Sequence, residues 1–192
     1  WEVPAGEETA IHGRWVTGPG TRLFDALAEA LGELPIVAED LGIITADVER
    51  LLAAVGFPGM KVLQFAFSDD DNGHLPHNHS RHSVVYTGTH DNPTVRGWWG
   101  ALDAAARGRV VDYLGHDGEA IEQTLLRAAY TSVAERVIVP VQDIFGLGAE
   151  ATMNVPGRAE GNWRFRAAKS LFTPDAAERL ARLARLTGRA PA

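Results

Sequence analysis

Apolar residues along this chain follow two patterns, and each predicts a different element. Leu23, Phe24, Leu27, Ala28 and Leu31 recur at helical spacing, with Thr21 as the expected cap and Gly32 as the stop. Val48, Leu51, Leu52 and Val55 repeat the pattern after Thr45, with Asp47 in the first turn, and Gly56 and Pro58 end it. A longer helix is predicted from Glu119 to Glu135, with Ile121, Leu125, Ala128, Ala129 and Val133 facing inward. Thr173-Pro174 starts a last helix, whose inner face is Ala177, Leu180, Leu183 and Ala184 and whose outer side is Arg179, Arg182 and Arg185; Gly188 ends it. The second pattern is an apolar run with little alternation, as expected of strands covered on both faces. It predicts strands at Ile36–Ala38, Met60–Phe67, Ser83–Thr87 and Val137–Val141. Between these elements, residues 1–20, 68–82 and 144–169 read as irregular, and 93–118 as short helical pieces. Trp1 and Trp15 mark the first of these segments as one that packs.

Strands alternating with helices imply a parallel α/β sheet, either a small open sheet or about half of an eight-stranded barrel. No internal domain boundary and no repeat is evident. A parallel sheet puts all strand ends on one side, and here they carry Glu39-Asp40, Ser68-Asp69, His90-Asp91-Asn92 and Gln142-Asp143. Any one such carboxylate is more often a helix cap or a solvated loop charge. Repetition over successive strands favours a site that transfers protons, holds a cation or binds sugar hydroxyls.

Composition narrows the choice. The 192 residues carry a formal charge of -7 and no basic block, which argues against nucleic acid and anionic membrane as partners. No apolar run is long enough to span a bilayer. The absence of cysteine excludes disulfide and thiol chemistry and fits a reducing cytoplasm. The chain opens on Trp1 rather than Met, which is read as truncation.

Glu39 and Asp40 are adjacent, so in an extended segment they point different ways. Glu39 is the expected acid/base and Asp40 its structural neighbour. His90 beside Asp91 pairs a donor with an acceptor, suited to vicinal hydroxyls or to positive charge on a sugar ring. Four histidines at 74, 77, 79 and 82 raise a metal reading, but their spacing matches no tight ligand signature, and a solvated or sugar-contacting lid is the preferred one. Trp98, Trp99 and Trp163 could stack on sugars or fill a core.

These motifs, taken in order, resemble the 4-alpha-glucanotransferases of the amylomaltase family. The resemblance is carried by Val3-Pro4-Ala5-Gly6, Gly13-Arg14-Trp15-Val16, Ala38-Glu39-Asp40-Leu41-Gly42, Pro58-Gly59-Met60-Lys61-Val62-Leu63-Gln64-Phe65-Ala66-Phe67, His74-Leu75-Pro76-His77-Asn78, Tyr86-Thr87-Gly88-Thr89-His90-Asp91-Asn92, Pro140-Val141-Gln142-Asp143, Met153-Asn154-Val155-Pro156-Gly157 and Gly161-Asn162-Trp163. It implies a (β/α)8 barrel of the alpha-amylase-like clan that passes glucanyl units between alpha-1,4-glucans with retention. It implies Glu39 as general acid/base, Asp91 as transition-state stabiliser, His90 as a sugar contact, and Asn78, with Asn92 and Asp40, near the substrate. No metal or organic cofactor is expected.

The sequence departs from the family at Pro93, Phe165 and His79, where other residues are frequent. A larger departure is that retention needs a nucleophilic carboxylate, which the family places in an Arg-x-Asp motif, and no Arg-x-Asp occurs here. The expectation is therefore the C-terminal part of the enzyme, about strands five to eight, filling 1–192, inactive alone and prone to self-associate through exposed sheet edges. The alternatives are a non-catalytic alpha-glucan-binding module and a metal-dependent hydrolase built on the histidine loop.

Overall fold

The computed structural model describes residues 1–190, which divide into two compact units, Trp1–Pro58 and Gly59 onward. In the first unit, an antiparallel bridge joins Glu2 to Arg14, with each backbone N–H donating to the other's carbonyl at 2.8 Å. Trp1 and Trp15 pack edge to face on each other, 5.4 Å between centroids, so the irregular segment is closed by its own aromatics. Gly13 is required there, because a Cβ would lie 2.3 Å from the Trp1 indole nitrogen.

Two helices follow, α1 (Thr21–Leu31) and α2 (Ala46–Val55), and they pack together with Phe24 against Phe57 at 5.4 Å. Gly20 is the N-cap of α1, and Thr21, expected as the cap, is its first residue. Thr45 does sit at the N-cap of α2, and Gly56 closes that helix in the left-handed conformation. The strand expected at Ile36–Ala38 is absent. Ile36 donates locally to the Leu34 carbonyl and Ala38 donates to Pro58, each at 2.9 Å, and one bond of this kind is not a ladder.

The second unit holds a parallel sheet in the order β1 (Gly59–Val62), β2 (Ser83–Tyr86), β3 (Arg136–Ile138). Its register aligns Met60 with Val84 and Val84 with Arg136. The helices are α3 (Val95–Ala101), α4 (Ala104–Leu114), α5 (Ile121–Thr131), α6 (Val141–Ile144) and α7 (Pro174–Leu186). The core is made where Leu63, Val85, Val95, Val110 and Leu125 meet, with Trp98 and Trp99 packed half-buried against it.

All three strands are shorter than the apolar runs predicted. The first ends at Val62 because its N–H donates to the His74 Nδ1 at 3.1 Å and Leu63–Phe65 then curl into a 3-10 turn. The fourth run splits: β3 stops at Ile138 and Val141–Ile144 turn into α6, so Gln142 and Asp143 lie on a helix and are buried. The long helix spans Ile121–Thr131, not Glu119–Glu135, since Ala120 enters it with φ 47 and Ser132 leaves it extended. Val133 is consequently exposed rather than inward. In α7 the Thr173 hydroxyl accepts from the Ala176 N–H as a cap, but Ala176 is the buried residue and Ala177 is exposed.

Candidate active site

The β2–α3 connection carries a group of polar side chains at the end of the middle strand. After Tyr86 the chain turns through Thr87 to Thr94, and the turn is tied from within. The Asn92 Oδ1 accepts from both the Thr89 N–H, at 2.8 Å, and the Thr89 hydroxyl, at 2.9 Å. The Asn92 N–H returns to the Thr89 carbonyl at 3.2 Å. This is a side-chain-closed turn of the kind Asn favours. It leaves His90 and Asp91 at its tip, both about half exposed, with the His90 Nε2 3.4 Å from the Asp91 Oδ1.

A second loop reaches this tip. Asn154 donates its Nδ2 to the Asp91 Oδ1 at 2.5 Å, and its N–H to the His90 carbonyl at 3.0 Å. Asn162 pins the loop by accepting from the Val155 N–H and donating to the Val155 and Arg158 carbonyls. Trp163 follows with φ 62, its N–H on the Met153 carbonyl at 2.8 Å. That left-handed backbone is uncommon for a bulky residue and needs surrounding support. It presents an indole that is 55% exposed, 5.2 Å from the His90 ring centroid. The tip therefore offers a carboxylate, an imidazole and an aromatic face together, accessible to solvent.

Asp143, expected on an open rim, is buried. Its Oδ2 accepts from the Thr87 hydroxyl at 2.6 Å and its Oδ1 from the Val95 N–H at 2.8 Å. Burial pushes its carboxyl up from the usual range, partly offset by those two donors. Gln142 is buried too, and donates to the Ala151 carbonyl at 3.2 Å.

His74, His77 and His79 tie their loop to the elements around it. His74 accepts from Val62, and the His77 Nδ1 lies 2.8 Å from the Tyr113 hydroxyl. His79 is buried between the Ser132 hydroxyl at 2.7 Å and the His74 carbonyl at 2.8 Å. Among the described residues no group of three or more His, Asp or Glu is placed to hold a metal. Asn78 is exposed and donates its Nδ2 to the Asn72 carbonyl at 3.0 Å, a bond within its own loop. Glu39 and Asp40 belong to the first unit, Glu39 exposed and Asp40 half-buried, in the extended stretch between Ala38 and Gly42.

The structure thus groups His90, Asp91 and Asn92 and adds Asn154, to which the sequence reading gave no role. Asn154 lies within a motif used for the resemblance, but its distance of 63 positions from Asp91 hides the contact. Gln64, an amide inside an apolar run, was a clearer signal: it is buried and donates to the Pro93 carbonyl at 2.9 Å.

A parallel α/β unit whose middle strand ends in an exposed carboxylate–imidazole pair beside an indole has its polar groups at the strand ends, where open α/β sheets and barrels build their sites. The chain belongs to the 4-alpha-glucanotransferase family, glycoside hydrolase family 77, which it matches over residues 1–171. It is 51% identical over 168 residues to the chloroplastic/amyloplastic 4-alpha-glucanotransferase of Solanum tuberosum, covering 86% of this chain and 29% of the relative. It is 45% identical over 198 residues to the 4-alpha-glucanotransferase of Thermus thermophilus, covering 98% and 40%. An amylomaltase from Streptococcus agalactiae, solved in complex with acarbose, superimposes with a TM-score of 0.93 at 36% identity over 100% of this chain and 39% of that one. The chain spans between 29% and 40% of the length of these relatives. Among the described residues no helix is long and apolar enough to cross a membrane.

Proposed function

We propose that this chain is the C-terminal part, about strands five to eight, of a (β/α)8 catalytic barrel of the alpha-amylase-like clan, and that residues 1–192 form no separate module within it. The intact protein transfers glucanyl units between alpha-1,4-glucans with retention, in the cytoplasm. The observation that carries this reading is the turn after β2 in a chain of this family: Asp91 is exposed, held by Asn154, and flanked by His90 and the Trp163 indole.

The chemistry follows from those groups. Cleavage of a glycosidic bond puts positive charge on the sugar ring and negative charge on the departing oxygen. Glu39 protonates that oxygen and, as carboxylate, later takes the proton of the acceptor hydroxyl. Asp91 faces the developing ring charge. Its Oδ1 accepts from Asn154, which fixes its direction before substrate arrives. His90 donates to a sugar hydroxyl, and Trp163 stacks on an adjoining ring. Asn78, Asp40 and the Nδ2 of Asn92 are each assigned as substrate contacts, the Asn92 Oδ1 being committed to Thr89. The nucleophile is contributed by an Arg-x-Asp strand outside these residues, and the reaction calls on no metal or cofactor. Maltooligosaccharides are the partners; nucleic acid and membrane are not.

Incubating the 192-residue chain with maltotriose is expected to give neither glucose nor longer maltodextrins, whereas the intact protein gives both. In the intact protein Asp91→Asn is expected to lower kcat by about 10²-fold or more, the scale of a preorganised charge-stabilising group. Robust turnover by the chain alone, or near-normal kcat for Asp91→Asn, contradicts the reading.

A further inference from the structure

We propose that Asp143 is a positioning residue that sets the Asp91 turn by holding both of its ends with one buried carboxylate. The inference rests on the assignment of Asp91 as the charge-stabilising group.

Thr87 precedes the turn and Val95 follows it, and both are fully buried. The Asp143 Oδ2 accepts from Thr87 and the Oδ1 from Val95, so two oxygens of one rigid group fix the separation of the strand end and the start of α3. Only the seven residues 88–94 lie between, and His90 and Asp91 are among them. Gln64 closes the third side. It donates to the Pro93 carbonyl at 2.9 Å and passes so close to Gly88 that a Cβ there would lie 2.5 Å from its amide nitrogen. The turn is therefore gripped at Thr87, Gly88, Pro93 and Val95 from the neighbours of both flanking strands, leaving its tip to carry the polar groups.

The chemistry of the clamp explains the choice of a charge. Both partners are donors, and a carboxylate accepts at both oxygens with charge-assisted bonds. Burying that charge is costly. A neutral Asn could keep both contacts only by accepting from Val95 and donating to the Thr87 oxygen. An apolar residue keeps neither. A misplacement of about 1 Å at a reacting centre can cost on the order of 10²-fold in rate.

The test uses the intact transferase with maltotriose as donor and acceptor, on variants confirmed folded by far-UV circular dichroism at the assay temperature. Asp143→Ala is expected to lower kcat by about 10²-fold with little change in KM, and Asp143→Asn to restore most of it. Thr87→Val, which removes one of the two grips, is expected to fall between, and it carries the test should Asp143→Ala not fold. In an Asp91→Asn background the further loss from Asp143→Ala is expected to shrink to less than about threefold, because the turn no longer presents the group being positioned. A folded Asp143→Ala or Thr87→Val enzyme with wild-type kcat overturns the proposal, as does an Asp143→Ala loss of equal size in both backgrounds. If Asp91→Asn alone is silent, the assignment of Asp91 falls instead, so the two failures are distinguishable.

Discussion

His79 shows what a single residue contributes. The His74 carbonyl can only accept, so the Nε2 carries the ring proton and the Nδ1 accepts from the Ser132 hydroxyl. Burial holds its pKa below the ordinary value, with the His74 carbonyl pulling the other way and Lys61, His74 and His77 adding to the depression. The unfolded chain takes up a proton near the ordinary histidine value of about 6.5, while folded His79 stays neutral to lower pH. Stability therefore falls as pH drops through that window. Urea unfolding at pH 7.5 and 5.5 is expected to show this loss, and His79→Gln to reduce it; an unchanged slope in the variant contradicts the assignment. At this scale the sequence pointed to the exposed tip residues His90 and Asp91 through a strand-end pattern. It misread Asp143, because a strand-end carboxylate and a buried clamp share the same short motif, and only the three-dimensional neighbours Thr87 and Val95 separate them.

The helices α3 and α5 are joined by a bidentate ion pair. Arg96 presents its Nε and Nη2 to the two oxygens of Glu122, each at 3.0 Å, and Glu122 is buried. Burial alone would raise the Glu122 pKa, but the Arg96 fork, and Arg179 more distantly, bring it below the ordinary value. Arg96→Met leaves the carboxylate buried with its main partner gone and is expected to cost roughly 2–4 kcal/mol, less than a fully buried pair because Arg96 is half exposed. Arg96→Lys recovers only part, since an ammonium cannot reproduce the fork. Thermal or urea unfolding reads both. Elements differed in how far the sequence revealed them. The α1 and α2 helices carry their periodicity and stops locally, and α7 carries a Thr-Pro start. The strands do not. Where β1 gives way to a turn depends on His74, twelve positions away, taking the Val62 N–H. The Ile36–Ala38 run has strand composition but no ladder.

For the whole molecule, the described three-stranded sheet has β1 and β3 as its edges. Ile138 on β3 and Val133 just before it are exposed apolar side chains. If the chain is the proposed half of a barrel, these edges lack their natural neighbours, and unpaired edges recruit other chains. Analytical ultracentrifugation of the isolated chain is expected to show concentration-dependent association, and a stable compact monomer at every concentration counts against the half-barrel. The family was legible because its motifs are spread over nearly the whole sequence in order. The lack of an Arg-x-Asp motif was legible for the same reason, whereas the grip on the Asp91 turn was not, being assembled from residues on three separate elements.

In the proposed glucanyl transfer Glu39 moves the proton. The decisive comparison sets Glu39→Gln against the wild-type intact transferase on two donors. Maltotriose has a sugar leaving group that needs protonation, whereas an alpha-maltosyl fluoride departs without it. General acid catalysis contributes about 10²–10⁴-fold, so Glu39→Gln is expected to lose that much with maltotriose while still releasing fluoride in the first step at close to the wild-type rate. Near-normal turnover of maltotriose by Glu39→Gln, or equal losses on both donors in that first step, would contradict the role given to Glu39.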